Sequence, residues 1–389
     1  MEFKVSVPGK VILHGEHSVV YGKAAVASAI GLRTEAHVRP CSEENVVLEL
    51  KDFGKKFTWK FEQFHPLESW NYGTDDVVKP SDDLLNLLRN TFDIQPETKW
   101  QGSLTTFLFL YNSIAHHLRP IGKRFIPVEI SISSALPIGA GLGSSAAYSV
   151  AVAASLLRVY NKIAKKEGVA SKEDLEIISN WAFQSEVILH GKPSGIDNSI
   201  CSHGGALLFQ RGQIQEINSS VPLYRVLLVN TGVSRKTRAL VGRVRQRVEL
   251  HPTIMAHIFD AMDVIAKDTW QKLKQHSTTP SVAAEPVVTR TNKQLYEFAA
   301  EMISINHHLL NSIGVGHPAL DRIITAAGAG STKLSAKLTG AGGGGCGFVL
   351  LGVGEPDTVE EIISLKEELE KEGFECWLVD IGCPGVTFS

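Results

Sequence analysis

Residues 137–146 read Pro-Ile-Gly-Ala-Gly-Leu-Gly-Ser-Ser-Ala, and the alanine-rich stretch from Ser144 to Tyr160 contains neither glycine nor proline. This stretch predicts a buried helix that begins at Ser144. A glycine-rich loop that leads directly into a helix faces free backbone N–H groups and the positive end of the helix dipole. The arrangement is typical of phosphate binding, because glycines let the backbone follow an anion without Cβ clashes.

The serines at the start of this helix strengthen the phosphate interpretation, because the hydroxyls of Ser144 and Ser145 can reach a phosphate or its Mg²⁺. The loop is not a Walker A motif, since no Gly-Lys-Ser/Thr follows at the required spacing. The alternative is that the glycines and alanines only allow the helix to pack closely on a sheet. Three alternating glycines followed by two serines favour phosphate binding over that alternative.

A second glycine cluster occupies residues 340–347, where six of the eight residues are glycine. Its Gly-x-Gly-x-x-Gly spacing matches a dinucleotide-binding fingerprint, but that fingerprint requires a helix after the loop. Residues 348–353 continue instead as an apolar strand, so we reject the Rossmann interpretation. So many glycines suit a loop whose backbone presses against a ligand or another loop. A flexible hairpin turn is the remaining alternative, although one or two glycines would suffice for it.

The N-terminal part carries a third cluster, Pro-Gly-Lys at residues 8–10 and His-Gly-Glu-His at residues 14–17. A lysine that follows a turn at a strand end can direct its ammonium at phosphate. Taken alone, Lys10 would be an ordinary surface lysine. Metal binding by the two histidines and the glutamate is disfavoured, because the HExxH spacing and further nearby ligands are missing.

Two carboxylates flank the end of one predicted helix. The helix begins at a capping box headed by Ser171, and it carries Glu186 and, four residues later on the same face, His190. Asp197 follows in the turn of residues 191–198. As alternatives, Glu186 is a solvated edge residue and Asp197 only a turn residue. A divalent cation takes oxygen ligands and a hydroxyl nucleophile benefits from a carboxylate, so this pair can serve both needs.

Six basic side chains lie within residues 235–247. Most of them are expected to form a solvated helix face. Nucleic-acid binding is disfavoured, because aromatic residues are not interleaved with them and the formal net charge of the chain is −2. Arg235 and Lys236 stand where a predicted strand ends, and we expect these two to meet an anionic substrate.

Length and composition indicate a globular protein of more than one domain. The chain has 389 residues, of which 43% are apolar, and roughly 150 residues per domain predicts two or three domains. A joint near residues 219–222 divides it into residues 1–222 and 223–389. The five cysteines are scattered without a Cys-x-x-Cys pair, which indicates a reducing compartment. We expect a soluble cytoplasmic protein, because no secretory signal is visible and residues 138–157 would be a poor membrane span.

Hydrophobic periodicity predicts strands and helices in both halves of the chain. Pro8-Gly9 is predicted to break the first strand. The predicted strands are residues 3–7, 10–13, 46–50, 127–132, 224–230, 337–338 and 348–353. The predicted helices are residues 144–160, 171–190, 236–250, 292–310 and 318–327, and residues 275–291 are predicted to be a loop.

Together these motifs resemble the galactokinase–homoserine kinase–mevalonate kinase–phosphomevalonate kinase superfamily, the GHMP kinases. Its three motifs are present in order at residues 8–10, 137–147 and 337–347, and they span nearly the whole chain. Within the superfamily the sequence resembles the mevalonate kinase family, on matches that include residues 8–22, 191–198, 230–231, 237–241 and 314–317. One departure is Val7, where the family commonly has Ala or Ser, and it leaves Lys10 undisturbed.

The resemblance implies a two-domain GHMP kinase fold, α/β and α+β. The N-terminal domain would be similar to domain 2 of ribosomal protein S5 and the C-terminal domain would be ferredoxin-like. ATP and the substrate would lie in the cleft between them.

The resemblance also implies roles for individual residues. Ser145 and Glu186 would be Mg²⁺ ligands, and Asp197 would be the base that takes the substrate's hydroxyl proton. Lys10 would lie beside Asp197 and the transferring phosphoryl group. The residues expected to bind ATP are Lys10, Gly139, Ala140, Gly141, Leu142, Gly143, Ser144, Ser145 and Ala146. Those expected to bind or support the substrate are Lys10, Glu16, His17, Asp197, Arg235, Thr237, Gly340 and Ala341.

The implied reaction is phosphoryl transfer from ATP to the 5-hydroxyl of mevalonate, an early step of isoprenoid and sterol precursor synthesis. The family further suggests a homodimer and feedback inhibition by prenyl diphosphates, with no nucleic-acid or membrane partner. The cytoplasm is the default location and the peroxisome the alternative. Two rival hypotheses are a related kinase for phosphomevalonate, a sugar or homoserine, and a nucleotide-sensing protein that has lost catalysis.

Overall fold

The computed structural model describes residues 2–41, 43–73, 75–118, 125–234, 237–276, 290–330, 333–351 and 356–389. The strands are β1 Phe3–His14, β2 Ala25–Pro40, β3 Asn45–Leu50, β4 Lys55–Lys60, β5 Val128–Ser134, β6 Gly168–Val169, β7 Ala206–Gln210, β8 Gln213–Asn218, β9 Tyr224–Asn230, β10 Ala336–Leu338, β11 Cys346–Leu350, β12 Glu375–Ile381 and β13 Thr387–Phe388. The helices are α1 His65–Glu68, α2 Asp82–Thr91, α3 Gln101–Leu118, α4 Ser144–Val159, α5 Lys172–His190, α6 Ile196–His203, α7 Thr237–Leu250, α8 Pro252–Gln275, α9 Arg290–Ser312, α10 Pro318–Ala329 and α11 Pro356–Lys371.

The strands join in the order β10-β11-β9-β12-β2-β1-β13-β6, and β5 and β7 also pair with β2. The contact between the two halves of this path is narrow, since β12 meets β2 at the single register pair Ile381–Ile30. The last strand, β13, returns to the first and pairs with Val5 and Ser6 of β1. The sheet therefore connects the N-terminal and C-terminal parts of the chain, and the boundary at residue 222 stays a prediction.

The expected break at Pro8-Gly9 is wrong. β1 runs without interruption from Phe3 to His14 beside β2, and the register shifts from Pro8 opposite Arg33 to Gly9 opposite Ile30. A bulge thus absorbs the proline, which cannot donate a ladder hydrogen bond, and the strand continues beyond it.

The predicted helix after the phosphate loop is confirmed as α4, and its alanine side chains are buried. These small side chains let α4 pack against β1, β2, α3, α5 and α6. At the far end of α4, the guanidinium of Arg158 lies 4.6 Å from the ring centroid of Phe3 and 4.5 Å from that of Phe388. Both ends of the chain are therefore attached to the helix that carries the phosphate loop.

The predicted helix start at Ser171 is also confirmed, because its side chain accepts a hydrogen bond of 3.1 Å from the backbone N–H of Asp174. The strand predicted at residues 224–230 is β9, and the helices predicted at residues 236–250, 292–310 and 318–327 correspond to α7, α9 and α10. Most of the predicted loop at residues 275–291 lies outside the described residues. Among the helices that the structure describes, none has the length and apolarity that a membrane span needs.

The second glycine cluster forms the turn between β10 and β11, so a strand follows it and the rejection of the Rossmann interpretation is confirmed. Its backbone packs against two other loops, as Gly343 donates to the carbonyl of Val315 at 2.8 Å and Gly345 donates to that of Val233 at 3.0 Å. At Gly342, with φ +72°, an added Cβ would lie 2.1 Å from the Val315 carbonyl oxygen. The glycines here allow this close backbone packing.

Replacing Gly342 by Ala should lower the free energy of unfolding by more than about 2 kcal/mol, because the left-handed backbone and the collision with Val315 both oppose a side chain. The matched control is Gly373→Ala, at φ +89° with open space around the added Cβ, where only the roughly 1 kcal/mol of left-handed strain applies. Urea unfolding of both variants makes the comparison. Equal losses at the two positions would contradict the packing argument.

Candidate active site

The phosphate loop is attached to β1 at the start of α4. Gly139, Gly141 and Gly143 have φ of 75°, 76° and 78°, a conformation that disfavours other residues. The backbone N–H of Lys10 donates to the carbonyl of Leu142 at 2.8 Å. An added Cβ at Gly143 would lie 2.8 Å from Cγ of Lys10. This contact places the Lys10 side chain at the N-terminus of α4, where the first N–H groups of the helix remain available to an anion.

Lys10 and Asp197 form an ion pair, with 3.0 Å between Nζ and Oδ1. Asp197 lies in the first turn of α6, which starts after Gly195 at φ +81°. The Lys10 side chain is 11% exposed and that of Asp197 is 37% exposed. Asp197 is therefore partly exposed, and the ion pair brings together two residues that are distant in sequence.

Glu186 projects from α5 toward the start of α4. Its Oε2 lies 3.5 Å from the Ser145 hydroxyl and its Oε1 lies 3.4 Å from the Ser149 hydroxyl. Nε2 of His190 lies 3.2 Å from the same Ser145 oxygen. Burial, reinforced by the negative charge of Asp197, raises the pKa of Glu186 to about 7. A buried carboxylate in this condition gains from a cation placed beside it.

The donor set at this point fits Mg²⁺. Glu186 and Ser145 offer hard oxygen ligands, and Mg²⁺ commonly takes one or two carboxylates while phosphates and waters supply the rest. Within the described parts of the chain, no group of three or more His, Cys, Asp or Glu side chains has the arrangement of a metal site. A cation here would therefore depend on a bound phosphate for most of its coordination.

A pocket of about 240 Å³ lies beside the phosphate loop. Ser144 and Ser145 form part of its wall, so the pocket is continuous with the anion site. Most of its exposed lining surface is apolar and polar side chains supply the rest, which suits the base and sugar of a nucleotide. The lining residues are Thr34, Leu50, Asp52, Phe53, Lys99, Gly102, Ser103, Ile132, Ser134, Leu136, Ile138, Ser144, Ser145, Tyr148 and Leu189.

Sequence reasoning missed most of this pocket, and it assigned no function to the tryptophan-bearing stretch from Trp59 to Trp100. The pocket wall comes from the end of that stretch, at Lys99, and from elements on either side of it. These residues belong to the start of α3, to the short 3-10 helix Lys51–Phe53 and to strands that meet only in the folded chain. No local motif marks them, so spacing alone could not have found them.

The turn between β10 and β11 is bound to the N-terminal cluster. Nε2 of His17 donates to the carbonyl of Ala341 at 2.8 Å. The Thr339 hydroxyl donates to the carbonyl of Ile12 at 3.0 Å and accepts from the N–H of Ile12 at 3.2 Å. The structure thus brings together His17 and Ala341, two of the residues that the resemblance implies on the substrate side.

The remaining substrate-side residues differ in their surroundings. Gly340 precedes Ala341 at φ +75°, and Thr237 is exposed at the start of α7. Arg235 lies outside the described residues. Glu16 is buried, with its carboxylate bound to the ammonium of Lys337 and to Nδ2 of Asn306, the latter at 3.1 Å. Its present partners are therefore protein groups, and substrate binding by Glu16 stays a prediction.

The chain is similar in sequence to known proteins. The family model for the GHMP kinases N terminal domain matches residues 109–205, and that for the GHMP kinases C terminal matches residues 292–373. The mevalonate kinase of Mus musculus is 40% identical, and that of Homo sapiens 39%, each over 98% of this chain and 94% of the relative.

The same fold occurs in a solved structure. The mevalonate kinase of Methanococcus jannaschii superposes with a TM-score of 0.70 at 23% identity, over 97% of this chain and 98% of that one. The expected two-domain GHMP kinase fold, with its α/β and α+β parts, is confirmed.

The stability of the fold should depend on pH, because His307 is buried near the ammonium of Lys337. Burial and the nearby ammonium of Lys337 lower the pKa of His307 from 6.5 to about 4, against the opposing charge of Asp321. In the unfolded chain this histidine takes up its proton near pH 6.5, so acid favours unfolding. Its stabilising contribution is complete above pH 6.5 and is lost as the pH falls toward 4, with about 2 kcal/mol gone by pH 5.

Urea unfolding at pH 7 and pH 5 measures this loss. His307→Gln should flatten the pH dependence of the unfolding free energy, whereas His308→Gln, at the adjacent exposed position, should leave it close to that of the wild type. Identical slopes for His307→Gln and the wild type would show that His307 is not the responsible group.

Proposed function

Because this chain belongs to the mevalonate kinase family of the GHMP kinases, we propose that it transfers the γ-phosphoryl group of ATP to the 5-hydroxyl of mevalonate. The products are 5-phosphomevalonate and ADP. The observation that carries the proposal is the Lys10–Asp197 ion pair, 3.0 Å long, beside a glycine loop at the start of a helix. A base and a cation at the end of a phosphate site are what an alcohol kinase needs.

In this proposal the phosphates of ATP lie on the loop of residues 139–143 and on the first N–H groups of α4. The nucleoside occupies the pocket of about 240 Å³ next to Ser144 and Ser145. The loop is already held against β1, so little ordering is needed when the anion binds. Positioning and charge stabilisation account for most of the acceleration of phosphoryl transfer.

The acceptor hydroxyl would lie at Asp197, whose carboxylate takes its proton as the new P–O bond forms. The Lys10 ammonium is close enough to that carboxylate to face the transferring group as well, where it offsets the negative charge on the phosphoryl oxygens. Mg²⁺, when bound to Ser145 and Glu186 together with the phosphates, would supply further neutralisation of that charge. His17, Gly340, Ala341, Thr237 and Arg235 are proposed to hold the acceptor.

The finer parts of the proposal follow from the family resemblance. They are Mg²⁺ as the metal cofactor, a place in isoprenoid and sterol precursor synthesis, a homodimer and feedback inhibition by prenyl diphosphates. They also include the cytoplasm as location, with the peroxisome as the alternative. Light scattering, inhibition assays with prenyl diphosphates and cell fractionation test these parts separately.

A substrate panel tests the central proposal. ADP release is measured with Mg-ATP and, in turn, mevalonate, phosphomevalonate, galactose and homoserine. Mevalonate should be turned over far faster than the other alcohols. Preference for another acceptor would favour a related kinase, and no turnover of any acceptor would favour a protein that has lost catalysis.

Asp197→Asn should lower kcat for mevalonate by a factor of about 100 or more, because the proton acceptor is lost. The KM for ATP should change little, since Asp197 lies on the acceptor side of the loop. Asp260→Asn, which removes an exposed carboxylate on α8, should behave as the wild type. Steady-state kinetics decide the matter, and near-normal turnover in Asp197→Asn would overturn the base assignment.

Ser145→Ala and Glu186→Gln should each raise the KM for Mg-ATP by about tenfold or more, because each removes an oxygen ligand. The matched control is Ser155→Ala on the same helix, where the hydroxyl donates only to the Ala151 carbonyl at 2.7 Å. Titration of ATP at several fixed Mg²⁺ concentrations measures the effect. A KM for Mg-ATP equal to that of Ser155→Ala in both variants would count against the metal assignment.

A further inference from the structure

Lys337 is a charged residue that the reaction described above leaves unused. It lies in β10 with its side chain entirely buried, and its ammonium is bound to the carboxylate of Glu16, which is 1% exposed. Its Nζ also lies 5.4 Å from the ring centroid of Phe348. A lysine at full burial is rare and requires a partner of this kind.

The energetics of such a pair do not explain its presence. Removing two charges from water costs several kcal/mol, and the mutual attraction in the interior roughly offsets that cost. Well-packed apolar side chains of the same volume are often equally stabilising or better. The Lys337–Glu16 pair therefore contributes little net stability, and its role is better explained by the segment that it holds in place.

The pair holds a strained segment of the backbone. Gly15 has φ +95° and His17 has φ +61°, which is a costly conformation for a residue other than glycine. Glu16, between them, is bound on one side by Lys337 and on the other by Asn306 of α9, at 3.1 Å. These two contacts hold Glu16, and the adjacent His17 side chain is directed at the carbonyl of Ala341, 2.8 Å away.

A second link, which does not involve Lys337, joins the end of β1 to the residue that follows β10. The hydroxyl of Thr339 exchanges hydrogen bonds with both backbone groups of Ile12. Loss of the Lys337 ammonium should therefore leave β1 and the glycine turn together and release only residues 15–17. This separates a positioning role from a general role in holding the fold.

We propose that Lys337 is a positioning residue for the alcohol substrate: through Glu16 it holds His17 against the Ala341 carbonyl, and so shapes the acceptor side of the site. The inference rests on the proposed function, and it extends that function to a residue that does not touch the reacting groups. It concerns the acceptor only, because the phosphate loop is attached to β1 by a separate hydrogen bond from Lys10 to Leu142.

Kinetics of Lys337→Met test the inference. The KM for mevalonate should rise tenfold or more, while the KM for ATP stays within about twofold of the wild type. Leu369→Ala, a change in a fully buried side chain of α11, serves as a control for destabilisation alone and should alter neither KM. An unchanged KM for mevalonate in Lys337→Met, or equal rises for both substrates, would overturn the inference.

A double variant guards against failure to fold. Lys337→Met leaves Glu16 as an unpaired buried charge, which can unfold the chain, whereas Glu16→Gln combined with Lys337→Met leaves none. The double variant should fold and still show the raised KM for mevalonate, because a thioether at position 337 cannot donate a hydrogen bond to residue 16. A folded double variant with wild-type kinetics would overturn the proposal.

Hydrogen exchange on the protein without substrates separates this inference from the proposed function. Backbone exchange should accelerate in residues 18–20, whose N–H groups donate to the carbonyls of residues 15–17, in Lys337→Met, or in the double variant where the single one does not fold. Exchange in β11 should remain as in the wild type. If the wild type fails to phosphorylate mevalonate, the proposed function is rejected, whereas unchanged exchange in residues 18–20 rejects the role of Lys337 independently.

Discussion

The site depends on one edge of strand β1. At Val5 and Ser6 this edge pairs with β13, but further along it binds loops: the N–H of Lys10 donates to Leu142, and both backbone groups of Ile12 are bound by the Thr339 hydroxyl. The backbone groups of residues 10 and 12 face the same way, since strand residues alternate. An unpaired strand edge can pair with another strand. Here the edge instead binds the phosphate loop at Lys10 and the residue preceding the β10–β11 turn at Ile12, two residues further along.

The two glycine clusters have different roles: the first makes room for a side chain of the site, and the second allows loops to pack closely. At Gly143 the left-handed conformation and the missing side chain give room to the Lys10 side chain, so the glycine serves the chemistry directly. At Gly342 and Gly344 the missing side chains make room for the backbone of Val315 and for Val233. These latter glycines therefore serve packing between loops, and they bring Ala341 within reach of His17.

Local patterns predicted much of the fold and singled out several of the side chains that it brings together, among them Lys10, Ser145 and Glu186. The helix starts at Ser144 and Ser171 and the strand after the second glycine cluster follow from short-range rules, and the structure has them. The interruption at Pro8 was wrong because a bulge in a paired strand can absorb a proline. The ion pair of Lys337 and Glu16 and the pocket around Lys99 and Tyr148 join residues that are remote in sequence. Spacing carries no information on such contacts, so only the folded chain reveals them.

The contact of the Arg158 guanidinium with the rings of Phe3 and Phe388 has a consequence for folding during synthesis. A ribosome releases the first strand hundreds of residues before the last, yet β13 and Phe388 are needed to complete the sheet and to cover the end of α4. The N-terminal strands therefore keep an unpaired edge until β13 has been synthesised. Such late closure of distant pairs is slow and leaves apolar surface exposed in the meantime.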